Sequence, residues 1–139
     1  MSANIEEFKY YRMSWEEREK LLNKLERKLR SIGDILFAYV YGSFIKREFF
    51  RDIDVAIWIK ELEEAFKYEV EASSKIEISL NIPVDIHVLN EAPLPFKYTV
   101  FTEGRLLFSN NEKARIRVID ETIRQYEDLR ILRSLYEEK

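Results

Sequence analysis

The stretch Ile35 to Tyr41, ILFAYVY, is a continuous run of apolar, β-branched and aromatic residues, of the length and composition of a strand buried on both faces. Gly42-Ser43 ends it. A second such run, Asp52 to Ile59 (DIDVAIWI), follows after the segment FIKREFFR and carries charge only at its beginning. Two strands of this kind so close together point to a sheet flanked by helices.

The rest of the chain supplies those helices. Ser14 followed by Glu17 reads as a capping box, and Leu21, Leu22, Leu25 and Leu29 recur at helical spacing up to Arg30. Lys60 to Leu80 is mostly helical by composition. Pro83 opens a third strand, Val84 to Leu89, since proline is tolerated at a strand's first residue. Pro93 and Pro95 argue for a loop from Glu91 to Phe101, leading into at most a short helix. Thr102 to Arg105 reads as a turn before a short strand, Leu106 to Ser109. Asn111 to Glu138 then reads as one helix roughly 40 Å long, with Ile116, Ile119, Ile123, Tyr126, Leu129 and Leu132 as the stripe expected to pack on the sheet. Its end, ILRSLYEE, is expected to offer a surface to a partner. The class expected is α/β (α+β): one domain over residues 1–139, with a small mixed sheet, flanking helices and a long C-terminal helix.

Composition narrows the function. At 139 residues, with 46% apolar and 14% aromatic content, the chain can bury a core without disulfides, and it contains no cysteine. Its net charge is −3, with 23 basic and 26 acidic residues, so it lacks the basic platform on which stable nucleic-acid binding rests. No apolar run reaches the length of about 18 residues that a membrane span needs, and the start MSANIEEFKYYR lacks a signal-peptide pattern. A soluble, cytoplasmic protein is the expectation.

Candidate chemistry gathers around the strands. Gly42, one of only three glycines, follows a buried strand where a turn without a side chain lets backbone amides approach phosphate oxygens; a plain strand-ending turn is the alternative. Asp52 and Asp54, two apart, fall on one face of a pleated strand. Like charges that close resist burial unless a cation lies between them, and a hard divalent ion with oxygen ligands answers that need. Capping by Asp52 and pairing of Asp54 with Arg51 or Lys46 is the alternative. Asp85, alone in an apolar strand with Val84, Ile86 and Val88 on the opposite face, makes a third carboxylate, and three suffice to bridge two metal ions about 3.5 to 4 Å apart. His87 shares the face of Asp85, either orienting or accepting a proton, or simply packed and hydrogen-bonded. Phe49-Phe50 is expected to pack under the sheet, and Tyr39, Tyr41, Trp58 and Phe101 to be core, with stacking of one of them on adenine as the alternative. A Gly-x-Ser-x-Gly nucleophile turn around Ser43 is absent.

The order of apolar strand, Gly-Ser, short basic loop, Asp-x-Asp and later lone Asp resembles the DNA polymerase β-like nucleotidyltransferase superfamily. Within it the chain is most similar to the minimal nucleotidyltransferases, the MntA-type antitoxins that partner HEPN-domain (HepT-type) toxins. YGSFIKREFFRDIDVAI carries the signature, PVDIHVLNEAPLPFKYTVFTEGRLLFSN is similar to the third-carboxylate strand and the segment after it, and RVIDETIRQYEDLR resembles the terminal helix. The resemblance implies a polymerase β-like fold with Asp52, Asp54 and Asp85 as catalytic ligands of two magnesium ions, Asp85 also helping to activate the incoming hydroxyl. It implies that Gly42 and Ser43 bind the β and γ phosphates and that Lys46 helps hold the triphosphate. It implies ATP as substrate and transfer of AMP to a tyrosine of the toxin, in a type VII-like toxin-antitoxin pair. One departure is that only residues 44 to 51 separate Ser43 from Asp52, slightly fewer than is usual in the family.

Two other functions share the pattern: a catalytically weak module that neutralises a partner by binding it, and a small-molecule nucleotidyltransferase, which generally needs an added acceptor domain. The arginine-then-histidine spacing of HEPN ribonucleases is missing around His87. The terminal helix is also a candidate surface for homo- or hetero-oligomers.

Overall fold

A computed structural model describes residues 9–137; residues 1–8 of the stretch read for a leader and Glu138 of the expected terminal helix lie outside the described residues. Strand β1 (Tyr11–Arg12) leads into α1 (Trp15–Arg30), whose start has the expected capping box: Ser14 Oγ accepts from the Glu17 amide, and the Glu17 side chain accepts from the Ser14 amide. Such a cap stabilises a helix by about 1 kcal/mol. Then come β2 (Ile35–Tyr41), a one-turn helix α2 (Ser43–Lys46), β3 (Phe49–Phe50) and β4 (Ile53–Ile59).

The expected helical region between Lys60 and Leu80 is real but not uniform. It comprises a 3-10 turn (Leu62–Glu64), a π-helical turn (Lys67–Ala72) and α3 (Ser73–Leu80), which explains the mixed apolar spacing of its sequence. Asn81 closes α3 in a left-handed conformation, φ 59°. Strands β5 (Val84–Val88) and β6 (Arg105–Ser109) flank α4 (Leu94–Glu103), and α5 (Glu112–Glu137) ends the described chain.

Helix α4 corrects the loop expected from Glu91 to Phe101. It runs for ten residues because Pro93 sits at its N-cap and Pro95 in its first turn, where the amide has no partner to lose. The prolines start the helix rather than prevent it.

The main sheet has the order β5-β4-β2-β6, with β4 and β5 parallel and the other pairs antiparallel; β1 and β3 form a separate antiparallel ribbon. One face packs on Leu22, Leu25 and Leu29 of α1 and Ile76 and Leu80 of α3. The other carries Phe37, Tyr39, Ala56 and Leu89 against Val100 of α4 and Val118 of α5. Each fully buried leucine or isoleucine stabilises the fold by roughly 1.5–3 kcal/mol, so both helical layers hold the sheet.

The packed face of α5 only partly follows the expected stripe: Ile119 packs against the second core and Tyr126 stacks on Tyr98 of α4 with ring centroids 3.8 Å apart. Ala114, Val118 and Thr122, spaced four apart, are buried, whereas Ile116 and Leu132 are more than half exposed and Ile123 is exposed. Ala and Thr are small enough to let the helix lie close, and Arg115 reaches beneath it to donate to the Tyr39 hydroxyl at 2.7 Å. The far end, with Ile131, Leu132, Leu135 and Tyr136 exposed, extends beyond the packed layer.

Candidate active site

The parallel register of β4 and β5 sets Asp54 beside Asp85, and the antiparallel register of β2 sets Tyr41 beside Asp54. Val55 and Ile86, next along the same strands, point into the core, so the pleat delivers the carboxylates to the other face. Ligand atoms of Asp54, Asp85 and His87 all lie within 4.8 Å of one another. His87 Nε2 stands 3.1 Å from Asp85 Oδ2, and the imidazole is edged by Phe96 of α4 and tilted against Tyr41. His87 is thus hydrogen-bonded and set against two rings, as the plainer of its sequence readings expects.

Asp52 is placed slightly differently from expectation. β4 begins at Ile53, so Asp52 occupies the bend before the strand, outside the tight group. Its charge is still felt there. Burial, then Asp52 and Asp85, push the Asp54 carboxyl up to about 7. Burial and Asp85 likewise raise Asp52, partly offset by Arg51 and His87. Burial followed by the three carboxylates drives the Tyr41 hydroxyl upward as well. Three carboxylates at one strand end, one of them poised near neutrality, are a donor set of hard oxygens that fits a divalent cation.

Gly42, which ends β2 and caps α2, has φ 84°. A Cβ there would lie 2.7 Å from Asp54 Oδ2. Glycine is needed twice over: for the backbone angle and for room beside the carboxylate. Ser43 opens α2 immediately beyond it. Lys46, at the end of α2, is ion-paired with Glu103 of α4 at 2.6 Å, not with an aspartate of the cluster. Phe50 is buried in the core as expected, but Phe49 is about half exposed and lies against Arg12. Tyr39 and Phe101 pack in the second core, with Trp58 stacked on Phe37 and Tyr41 edge-on to Phe96.

Sequence reasoning missed three side chains that hold this region. Arg18 of α1 is buried under the Ser43-to-Asp52 segment. Glu77 and Glu69 accept from the Val84 and Val88 amides at the outer edge of β5, at 3.1 and 2.9 Å. All three sit in charged helical stretches whose spacing looks like an ordinary solvated face, so only the tertiary arrangement distinguishes them.

The fold and the site define a nucleotidyltransferase: residues 23–113 match the family described as Polymerase beta, Nucleotidyltransferase, and the chain belongs to it. Among solved structures, it is similar to a chain of the tri-AMPylated Shewanella oneidensis HEPN toxin in complex with MNT antitoxin, at 22% identity, covering 87% of this chain and 96% of that one with a TM-score of 0.66. It is similar to a chain of the toxin-antitoxin MntA-HepT at 22% identity, covering 86% and 96%, TM-score 0.65. A toxin-antitoxin solved with AMP-PNP gives 24% identity, 84% and 95% coverage and TM-score 0.66. This chain thus shares the fold of those chains. No curated protein matches the sequence. Among the described residues no helix is long and apolar enough to cross a membrane.

Proposed function

We propose that this chain is a magnesium-dependent adenylyltransferase that moves AMP from ATP to a tyrosine hydroxyl of a HEPN-type toxin and so acts as its antitoxin in the cytoplasm, with residues 1–139 as one domain. The observation that carries this is the meeting of Asp54 and Asp85 in register, with Asp52 one bend away and Gly42 pressed against Asp54. The likeness to chains solved with HEPN toxin and with AMP-PNP supports the choice of partner and nucleotide.

On this reading Asp52, Asp54 and Asp85 would hold two magnesium ions, which would supply charge neutralisation for the triphosphate. Gly42 and Ser43 receive the β and γ phosphates, and Lys46 exchanges Glu103 for a phosphate oxygen. Asp85, the most exposed of the three aspartates, is open to an acceptor arriving from solvent and would take its proton. The tyrosine oxygen then bonds to the α phosphorus as the bond to pyrophosphate breaks.

Incubation with magnesium, ATP and the protein encoded beside this one, followed by intact mass spectrometry, tests the proposal. One or more AMP masses on the partner, lost in Asp54→Asn, is the expected result. A second reading, neutralisation by binding alone, draws on the exposed Ile131, Leu132, Leu135 and Tyr136 at the end of α5; a stable complex with no mass gain would favour it.

A further inference from the structure

Arg18 is only 2% exposed. Its guanidinium donates from Nε to the Met13 carbonyl at 3.1 Å, from Nη1 to Phe44 at 2.7 Å and Arg47 at 2.6 Å, and from Nη2 to Glu48 at 2.5 Å. No carboxylate forms an ion pair with it among the described residues, although Glu48 lies close enough to favour its charge. The rings of Trp15, Phe50 and Phe44 surround the cation at 4.1, 4.8 and 5.6 Å.

Burying an unpaired guanidinium costs much more than burying a methionine or leucine of similar volume, and the aromatic surroundings would suit either. What an apolar side chain could not do is fix the direction of several carbonyls at once. All but the Met13 carbonyl lie in or just after a one-turn helix, where no further turn supplies donors, and a cation at a helix C-terminus is favourable. Three of the four belong to residues 44 to 48, the span that joins the Gly42-Ser43 turn to Asp52. The β1–β3 ribbon pins the following pair, with Arg12 opposite Phe49 and Tyr11 opposite Phe50.

We propose that Arg18 is a positioning residue for the nucleotide site: from beneath, it holds the short segment between the phosphate-binding turn and Asp52 in its working shape before any ligand arrives. This rests on the assignment of Gly42, Ser43 and Asp52 made above. The segment is short, and its geometry comes from α1 rather than from its own sequence. A fixed cradle binds triphosphate without first ordering a loop, which is how preorganisation raises affinity.

The test uses the full chain with Arg18→Lys, which keeps the charge but not the planar fork, and Arg18→Met, which suits the aromatic pocket. Leu25→Ala is the control, a core truncation two turns further along the same helix, at a residue that can make no side-chain hydrogen bond to the segment. Amide hydrogen exchange is followed across residues 43–52, and the Kd for magnesium-ATP is measured by calorimetry. Both Arg18 variants are expected to speed exchange in that segment and to raise the Kd, each by about tenfold or more, with exchange in β2 and β4 unchanged. The control is expected to lose stability without either effect. Segment exchange no faster than in the control, or faster exchange with an unchanged Kd, would overturn the proposal. If the wild-type chain itself fails to bind magnesium-ATP, the functional assignment fails and Arg18 loses the role with it; wild-type binding matched by the variants would sink the Arg18 role alone.

Discussion

A side chain at position 42 would run into Asp54: the Cβ of any residue other than glycine falls 2.7 Å from Asp54 Oδ2, at a backbone φ of 84°. The turn and the carboxylate therefore constrain each other, and substitution at one should be read out at the other. Gly42→Ala is expected to cost about 1–3 kcal/mol in urea denaturation and to abolish magnesium-ATP binding. Gly33→Ala, where a Cβ meets nothing within 4 Å, should change stability by no more than about 0.5 kcal/mol.

The raised Asp54 carboxyl makes a statement about pH. Because its folded value, about 7, lies above its ordinary 3.8, the folded state holds this proton more tightly than the unfolded chain does. Its contribution favours folding at low pH and is lost as pH rises from about 4 through 7. A divalent cation competes with that proton, so magnesium should raise the melting temperature more at pH 8 than at pH 5.5. In Asp54→Asn the metal-free protein should be at least as stable as wild type at pH 8, with the magnesium effect gone. Thermal melts at the two pH values, with and without magnesium, check both; an equal magnesium shift at each pH would contradict the account.

The Lys46–Glu103 pair ties the end of α2 to the end of α4, with both side chains about half exposed. Exposed pairs contribute about 0–1 kcal/mol, so Glu103→Gln should barely move the melting temperature. If Lys46 turns to a phosphate on binding, the same substitution should tighten magnesium-ATP and Lys46→Ala should weaken it. Calorimetry on both variants decides, and identical affinities would remove Lys46 from the site.

Which face of α5 is packed can be checked directly. Val118→Ala deletes two buried methyl groups and should cost about 1–2 kcal/mol, whereas Ile131→Ala, at a position 56% exposed, should stay within about 0.5 kcal/mol. Chemical denaturation of the two variants separates the observed packing from the stripe expected in sequence.

That last contrast shows where sequence reading reaches its limit. The buried strands Ile35–Tyr41 and Ile53–Ile59, the Ser14 cap and the Asp54–Asp85 pairing were legible because each rests on a local pattern: an apolar run, a capping box, a carboxylate stranded among apolar neighbours. The packed face of α5 was legible only in part: Ile119 and Tyr126 of the stripe do pack, but isoleucines on both sides of the helix offer two stripes, and the sheet beneath selects Ala114, Val118 and Thr122. Pro93 and Pro95 misled because proline marks a helix start as readily as a break. Arg18 gave no signal, since nothing in WEEREK separates the arginine that turns inward from those that do not.

Glu69 and Glu77 have a consequence for whatever approaches Asp85 and His87. By occupying the Val84 and Val88 amides, these two carboxylates close the outer border of the sheet to a visiting strand. An extended peptide pairing with β5 would first have to displace both glutamates, unlike strand addition at a free edge. A group that reaches Asp85 therefore arrives through its solvent-exposed face rather than along a main-chain ladder.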